Sequence, residues 1–257
     1  MTVPDIRLVP LSSDGSGVPF LLGPSLGTRV ARVWDPTLPL LAEHPLFGWD
    51  LPGHGVSPAA TSGFSIEELA EGIERAADEA GLAEFAAAGV SLGGVGSLAL
   101  ALLAPTRVTH VTMVCSLPKI GTPEGWAERA AAVRASGTPS LVQGSAARWF
   151  APGFIDSSPT LASALLSDLM DVDDESYALC VEALAATDLR PRVSDLAMPF
   201  TVIAGAEDTA IIPLEHAEEA VASARSGALH IISGAAHLAT VEKPAEVAAI
   251  LRSEASA

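Results

Sequence analysis

The stretch AAAGVSLGGVGS, residues 86–97, places one serine, Ser91, two residues after Gly89 and two before Gly93. An apolar run precedes the serine and a helical pattern follows it, so the Gly-x-Ser-x-Gly spacing falls on a sharp strand-to-helix turn. On such a turn the serine hydroxyl projects above the edge of a sheet, where it is able to attack a carbonyl carbon. We therefore interpret Ser91 as a nucleophile for acyl transfer.

A serine hydroxyl needs a base to become a nucleophile, and two later segments supply the groups for one. His237 follows an apolar run and a turn of small residues, so it would take the proton of Ser91 and return it to the leaving group. Asp208 stands three residues after Gly205, which ends another apolar run, and would hold the imidazole in one tautomer. Glu207 is the rival acid, and the spacing after Gly205 favours Asp208.

A tetrahedral intermediate also needs two N–H donors for its negatively charged oxygen. Leu92 begins the helix after Ser91, so its N–H has no partner within that helix and points at the site. The second donor is expected in the loop after an early strand, within residues 20–28. Pro24 has no N–H, and we expect the donor to be Leu26.

For the other histidines, a packing or surface role is the first interpretation. His54 belongs to the glycine-rich stretch WDLPGHGVS, residues 49–57, and we interpret it as the organiser of a loop near the site. Histidines and acidic residues do not cluster at the spacing of metal ligands, and no Gly-x-Gly-x-x-Gly follows a strand in a nucleotide-binding context. We therefore expect no metal and no cofactor. The four remaining histidines are His44, His110, His216 and His230.

Strand-like and helical patterns alternate along the chain, which predicts a mostly parallel sheet with helices on both faces. Several of the apolar runs lack alternation, as is typical of strands buried on both faces. The helical pattern of residues 65–81 has Ser65 as its N-cap and Glu68 as the partner in a capping box. Further helices are predicted over 214–224 and 243–255. The predicted strands are 5–10, 18–23, 45–50, 85–90, 108–115, 199–205 and 228–233.

Residues 119–190 break this alternation, because they contain helical patterns and no convincing strand. We predict a helical lid inserted over the carboxyl edge of the sheet, where open α/β sheets bind their ligands. The core would then consist of residues 1–118 and 191–257. A separate small domain is the alternative, and it is disfavoured because a strand pattern resumes directly after the segment.

The composition restricts the classes of partner. The formal net charge of −17 argues against binding nucleic acid or an anionic membrane surface, because both require clustered basic residues. The N-terminus lacks the pattern of a signal peptide, and the two cysteines suggest neither a disulfide framework nor a zinc site. We expect a cytoplasmic protein, as a monomer or a small homo-oligomer, that acts on a small molecule.

Five segments together resemble the 3-oxoadipate enol-lactonases, α/β-hydrolase enzymes of the β-ketoadipate pathway of aromatic degradation. The resemblance implies an α/β-hydrolase fold and hydrolysis of a five-membered enol-lactone to 3-oxoadipate through an acyl-enzyme, without a cofactor. The chain departs from that family at Pro52, where an arginine is usual, and at Pro24, where an asparagine is usual. The segments are PSLGTRVARVWDPTLPLLAEH (24–44), GVSLGG (89–94), KIGTPEGWAERAAAVRASG (119–137), RWFAPGF (148–154) and ESYALCVEALAATDLR (175–190).

The implied substrate carries a carboxylate, so a basic side chain should line its pocket. A solvated helix charge is the alternative interpretation of each basic candidate, and lid-core packing is the alternative for Trp149. The basic candidates are Lys119, Arg129, Arg134 and Arg148, and the other expected substrate contacts are Ser25, Trp126 and Trp149.

Three further functions compete with this interpretation. The first two share the fold and the nucleophile: another carboxylesterase, or a hydrolase that cleaves a carbon–carbon bond in ring-cleavage products. The third is a ligand receptor with vestigial turnover, which the presence of Ser91, Asp208 and His237 together disfavours. A haloalkane dehalogenase is disfavoured because its nucleophile would be an aspartate at position 91.

Overall fold

The computed structural model describes residues 2–12, 14–209 and 211–255. Seven strands form one sheet in the order β1-β3-β2-β4-β5-β6-β7, in which β1 is antiparallel to β3 and all other neighbours are parallel. Each predicted apolar run overlaps one of these strands, and five of the seven contain their strand completely. The strands are β1 Leu8–Ser12, β2 Phe20–Gly23, β3 Leu46–Trp49, β4 Phe85–Val90, β5 Val108–Val114, β6 Phe200–Gly205 and β7 Gly227–Ile232.

The inner strands explain why their sequences do not alternate. Every residue of β4 and of β6 is buried, because helices cover both faces of the sheet. The edge strand β7 differs, since most of its residues are partly or fully exposed. The predicted mostly parallel sheet flanked by helices is confirmed.

Eleven α-helices accompany the sheet within the described residues, and they include the three predicted over 65–81, 214–224 and 243–255. The capping box at the start of α2 is confirmed, because the Ser65 hydroxyl accepts the Glu68 N–H and the Glu68 carboxylate accepts the Ser65 N–H. The helices are α1 Val30–Val33, α2 Ile66–Glu79, α3 Leu92–Leu103, α4 Pro123–Ser136, α5 Val142–Trp149, α6 Phe154–Ser157, α7 Pro159–Met170, α8 Asp174–Ala185, α9 Leu214–Ser223, α10 Ala239–Glu242 and α11 Pro244–Ala255. Short 3-10 helices occupy Leu38–Leu41, Thr138–Leu141 and Arg190–Asp195.

Helices α4 to α8 lie in residues 119–190, hereafter the lid, between β5 and β6. Within the lid, α4 packs against α8. The buried carboxylate of Asp168 on α7 joins the lid to the core through two ion pairs, with Arg29 at 3.3 Å and Arg32 at 3.0 Å. A backbone bond from the Asp173 N–H to the Gly53 carbonyl adds a further link.

None of the helices in the described ranges is long and apolar enough to cross a membrane. Cys115 and Cys180 are both buried and carry free thiols.

Candidate active site

Ser91 occupies the turn between the end of β4 and the start of α3. Its backbone angles are φ 55° and ψ −121°, a conformation that a residue with a side chain rarely adopts. Surrounding bonds hold this strained turn: the Ser91 N–H donates to the Val114 carbonyl at 3.0 Å, and the Ser91 carbonyl accepts the Ser116 hydroxyl at 2.6 Å. This turn places the Ser91 side chain at the end of the strand, as the sequence predicts.

The glycines beside Ser91 allow two pieces of backbone to approach each other. A Cβ on Gly89 would lie 2.2 Å from the backbone carbonyl of Gly93, and a Cβ on Gly93 would lie 2.3 Å from the Pro24 oxygen. Neither position accepts a side chain unless the backbone moves. The Gly93 N–H also donates to the Pro24 carbonyl at 2.9 Å, which fixes α3 against the loop that follows β2.

The histidine and the acid meet at the carboxyl edge of the sheet. His237 Nδ1 lies 2.7 Å from Asp208 Oδ2, and both side chains are buried. Glu207, the rival acid, is exposed. Ser91 and His237 line the same cavity, which has a volume of about 300 Å³. The structure therefore brings all three residues of the expected triad to one end of the sheet.

The lid and the core both contribute residues to the wall of this cavity. Ser25 and Leu26 contribute from the core, and Trp126, Arg129 and Trp149 contribute from the lid, all five as expected from the sequence. Further lining residues that the sequence did not single out are Ile120, Gly121, Thr122, Gly125, Leu184 and Ile211.

Two of the basic candidates face the cavity and two do not. Arg129 and Arg148 line it. The expectation for Arg134 needs correction, because its guanidinium lies outside the cavity lining and is held by the carboxylates of Glu175 and Glu182. Lys119 likewise lies outside the lining, with its Nζ 3.4 Å from an oxygen of Asp188.

The two arginines of the cavity have no carboxylate partner among the described residues. Arg129 donates from Nε to the Tyr177 hydroxyl at 2.8 Å, a neutral partner that leaves its charge uncompensated. Burial lowers the pKa of Arg148, and the neighbouring charge of Arg129 lowers it further. Two uncompensated cations at one wall favour an anionic ligand there.

Two backbone N–H groups remain open beside Ser91. Within the described part of the chain, neither the N–H of Leu26 nor that of Leu92 has a hydrogen-bond partner. The adjacent Gly27 N–H is occupied, since it donates to His54 Nε2 at 3.1 Å. The organising role predicted for His54 therefore has a specific contact, on the same loop that carries Leu26.

Glu242 is a residue near the site that the sequence reasoning missed. Its carboxylate accepts the Ala236 N–H at 2.7 Å and the Ala151 N–H at 2.6 Å. Burial raises the pKa of Glu242, and these two hydrogen bonds partly oppose that effect. The sequence feature that could have identified Glu242 is its position, as a single acidic residue after the apolar run LATV that follows His237.

No group of three histidine, cysteine, aspartate or glutamate side chains in the described ranges is arranged to hold a metal ion. The groups at the site are those of acyl transfer: a strained serine, a histidine bonded to a carboxylate, and open N–H donors.

Comparison with known proteins agrees with this geometry. The sequence profile of the "Alpha/beta hydrolase family" matches residues 20–250. The chain is 32% identical to 3-oxoadipate enol-lactonase 2 of Acinetobacter baylyi, over 86% of this chain and 82% of that protein. A pimeloyl-[acyl-carrier protein] methyl ester esterase of Photobacterium profundum is 27% identical over 93% of this chain and 95% of its own length.

Among solved structures, the crystal structure of the enol-lactonase from Burkholderia xenovorans LB400 superposes with a TM-score of 0.91 at 26% identity. The superposition covers 98% of this chain and 96% of that enzyme. The lid is therefore shared along with the sheet, and the chain belongs to the α/β-hydrolase family, in which it is related to the 3-oxoadipate enol-lactonases.

Proposed function

We propose that the protein is a serine hydrolase that opens 3-oxoadipate enol-lactone to 3-oxoadipate through an acyl-enzyme. The observation that carries the proposal is the cavity itself. One wall contains Ser91 and His237, and another contains Arg129 and Arg148 without carboxylate partners among the described residues. A small ester that bears a carboxylate matches both walls, and the names of the related enol-lactonases support that choice.

In the proposed first step, Asp208 holds the proton of His237 on Nδ1, so that Nε2 is free to accept the proton of Ser91. The serine oxygen forms a bond to the lactone carbonyl carbon, and the resulting oxyanion lies at the N–H groups of Leu26 and Leu92. The ring C–O bond then breaks. The leaving enolate takes the proton from His237 and becomes a ketone by tautomerisation.

In the second step, His237 removes a proton from water, and the hydroxide attacks the acyl carbon on Ser91. The serine leaves with the proton of His237, and the new carboxylate departs. No cofactor is needed, because water supplies the only added atoms.

We assign the existing carboxylate of the substrate to Arg129 and Arg148. A carboxylate paired with a guanidinium forms short, charge-assisted hydrogen bonds, which fix the orientation of the lactone relative to Ser91. Trp126 and Trp149 supply apolar walls on the lid side of the ring.

The decisive assay compares three substrates. Enzymatically generated enol-lactone is followed by loss of ultraviolet absorbance, beside p-nitrophenyl acetate and a vinylogous diketone of the ring-cleavage type. We expect kcat/KM for the enol-lactone to exceed that for p-nitrophenyl acetate by about 100-fold, since only the lactone uses the arginines.

Ser91→Ala should abolish all turnover without unfolding the protein, with Ser97→Ala, a buried serine of the following helix α3, as the matched control. Faster turnover of neutral esters would instead indicate a carboxylesterase, and turnover of the diketone alone would indicate carbon–carbon cleavage. A single turnover that ends in a stable adduct would indicate a receptor.

A further inference from the structure

His54 is buried beneath the loop that contains Leu26, and it does not line the cavity. Its Nδ1 lies 2.9 Å from the Pro52 carbonyl oxygen, and its Nε2 lies 3.1 Å from the Gly27 backbone nitrogen. A carbonyl only accepts hydrogen bonds and a backbone N–H only donates. The two contacts therefore assign the ring proton to Nδ1 and leave Nε2 as an acceptor.

The contact with Gly27 fixes the peptide group next to the proposed oxyanion donor. The Gly27 N–H belongs to the planar peptide unit that joins Leu26 to Gly27, so holding it restricts the backbone of Leu26, whose own N–H lies in the preceding peptide unit. Gly27 itself has φ +86°, and a Cβ there would lie 2.6 Å from the Leu169 side chain. Glycine adopts this conformation without strain, but it also has more backbone freedom than any other residue, so the contact with His54 restricts the loop at this point.

We propose that His54 is a positioning residue for the hydrolytic reaction, which holds the Leu26 N–H in the orientation that binds the oxyanion. The inference rests on the proposed function, because it needs an oxyanion at that N–H. It goes beyond that function by assigning the support of the oxyanion hole to a histidine that does not touch the substrate cavity.

The same histidine connects this loop to the opposite wall of the cavity. Its ring stacks on Tyr177 of α8 with a centroid separation of 6.3 Å and an interplanar angle of 21°. The Tyr177 hydroxyl accepts the hydrogen bond from Arg129 Nε at 2.8 Å. The oxyanion loop and the proposed carboxylate-binding arginine therefore share one buried aromatic support.

The protonation state of His54 agrees with this role. Burial lowers its pKa to about 4, against smaller opposing effects of the Pro52 carbonyl and the charge of Asp173. At neutral pH the ring is therefore uncharged and Nε2 keeps its lone pair for Gly27. A protonated ring would direct an N–H of its own at the Gly27 N–H.

The experiment uses the full chain with two replacements at position 54. His54→Leu keeps the volume and removes the acceptor, whereas His54→Gln keeps an acceptor at about the position of Nε2. We expect His54→Leu to lower kcat for p-nitrophenyl acetate by about 10- to 100-fold, less than the loss of about 100- to 1000-fold caused by removing an oxyanion donor outright. KM should stay within about twofold, and His54→Gln should recover most of kcat.

His44→Gln is the matched control. His44 is also buried and bonded through Nδ1 to a carbonyl, that of Val18, but its ring packs edge-on against Phe20 away from the cavity. Its replacement should lower the melting temperature and leave kcat unchanged. A kcat of His54→Leu equal to that of the wild type, with turnover that still depends on Ser91, would overturn the inference alone.

The absence of any ester or lactone turnover by the wild type would overturn both the inference and the proposed function. If His54→Leu does not fold, ¹⁵N spectra of the wild-type imidazole decide the question. An unprotonated Nε2 at pH 7, together with near-normal kcat in His54→Gln, supports the role, and a protonated Nε2 contradicts it.

Discussion

Glu242 accepts a hydrogen bond from the backbone N–H of Ala236, the residue directly before His237, at a distance of 2.7 Å. Its other carboxylate oxygen accepts the Ala151 N–H of the lid at 2.6 Å. A backbone bond from Leu238 to the Trp149 carbonyl runs beside this pair at 3.2 Å. One carboxylate thus joins the loop of the proposed base to the lid segment that lines the cavity.

Replacement of Glu242 by glutamine should weaken catalysis by displacing His237. A glutamine side chain accepts through one oxygen only, and its NH₂ group would face one of the two backbone donors. We expect kcat for p-nitrophenyl acetate to fall by about 10- to 100-fold, since a misplacement of about 1 Å can cost on the order of 100-fold. Glu246→Gln, on the exposed face of α11, is the control and should change nothing. Equal kcat values for the two variants would show that Glu242 does not position the base.

If Asp208 is the catalytic acid, its replacement should lower kcat far more than replacement of its neighbour Glu207. Asp208→Asn removes the negative charge and introduces an NH₂ group that can donate to Nδ1 and favour the wrong tautomer of His237, so kcat should fall on the order of 10⁴-fold. Glu207→Gln should stay within about twofold of the wild type, because Glu207 is exposed and its replacement keeps the shape of the loop. Steady-state kinetics of both variants measure this difference, and the reverse order would transfer the role to Glu207.

Arg129 and Arg148 have no carboxylate partner among the described residues, so replacing one of them should weaken the binding of an anionic substrate and leave that of a neutral substrate nearly unchanged. Arg148→Gln should raise KM for the anionic enol-lactone by about 10- to 100-fold, the value of a charge-assisted hydrogen bond of roughly 1.5–3 kcal/mol. KM for p-nitrophenyl acetate, which has no carboxylate, should change by less than about twofold. Arg134→Gln is the control, because its partners Glu175 and Glu182 hold it outside the cavity. An equal rise for both substrates would mean that Arg148 shapes the cavity and does not bind the carboxylate.

The lowered pKa of His54 predicts how stability depends on pH. Burial places the pKa at about 4 in the folded chain, against 6.5 for an ordinary histidine. Between these values the unfolded chain binds the proton more readily, so the stabilisation present above pH 6.5 is lost as the pH falls towards 4. The loss is about 3 kcal/mol in the free energy of unfolding.

Urea unfolding of the wild type and of His54→Gln at pH 7 and pH 4 isolates this contribution from that of other titrating groups. We expect the difference between the two pH values to be smaller in the variant by about that amount. A variant with the same pH dependence as the wild type would show that His54 titrates normally in the folded protein.

Much of the fold followed from the apolar runs and their order, because buried parallel strands need continuous apolar sequences. The run at 5–10 was placed too early, since the strand is Leu8–Ser12. This edge strand pairs antiparallel with β3 and shifts register between Pro10 and Ser12. An edge strand has only one neighbour, so its limits depend on its register with that neighbour. The pattern of apolar residues does not encode that register.

The site was predictable where a local motif determines it and not where tertiary docking does. Ser91 is fixed by the glycines on its own turn, so its position was accessible from the sequence. Arg129 and Arg134 lie five residues apart on α4, about 140° around the helix axis, and only the docking of α4 decides which one faces the cavity. Glu242 binds backbone N–H groups, which leave no trace in the pattern of side chains.

The anchoring of the lid has a consequence for protein engineering. Asp168 is paired with arginines that directly follow the Leu26 loop, and Ala151 shares the carboxylate of Glu242 with the loop of His237. A chimaera that imports a foreign insertion between β5 and β6 would leave those core groups without their counterparts. To transfer substrate selectivity between proteins of this fold, the lid would therefore have to be exchanged together with its core partners Arg29, Arg32 and Glu242.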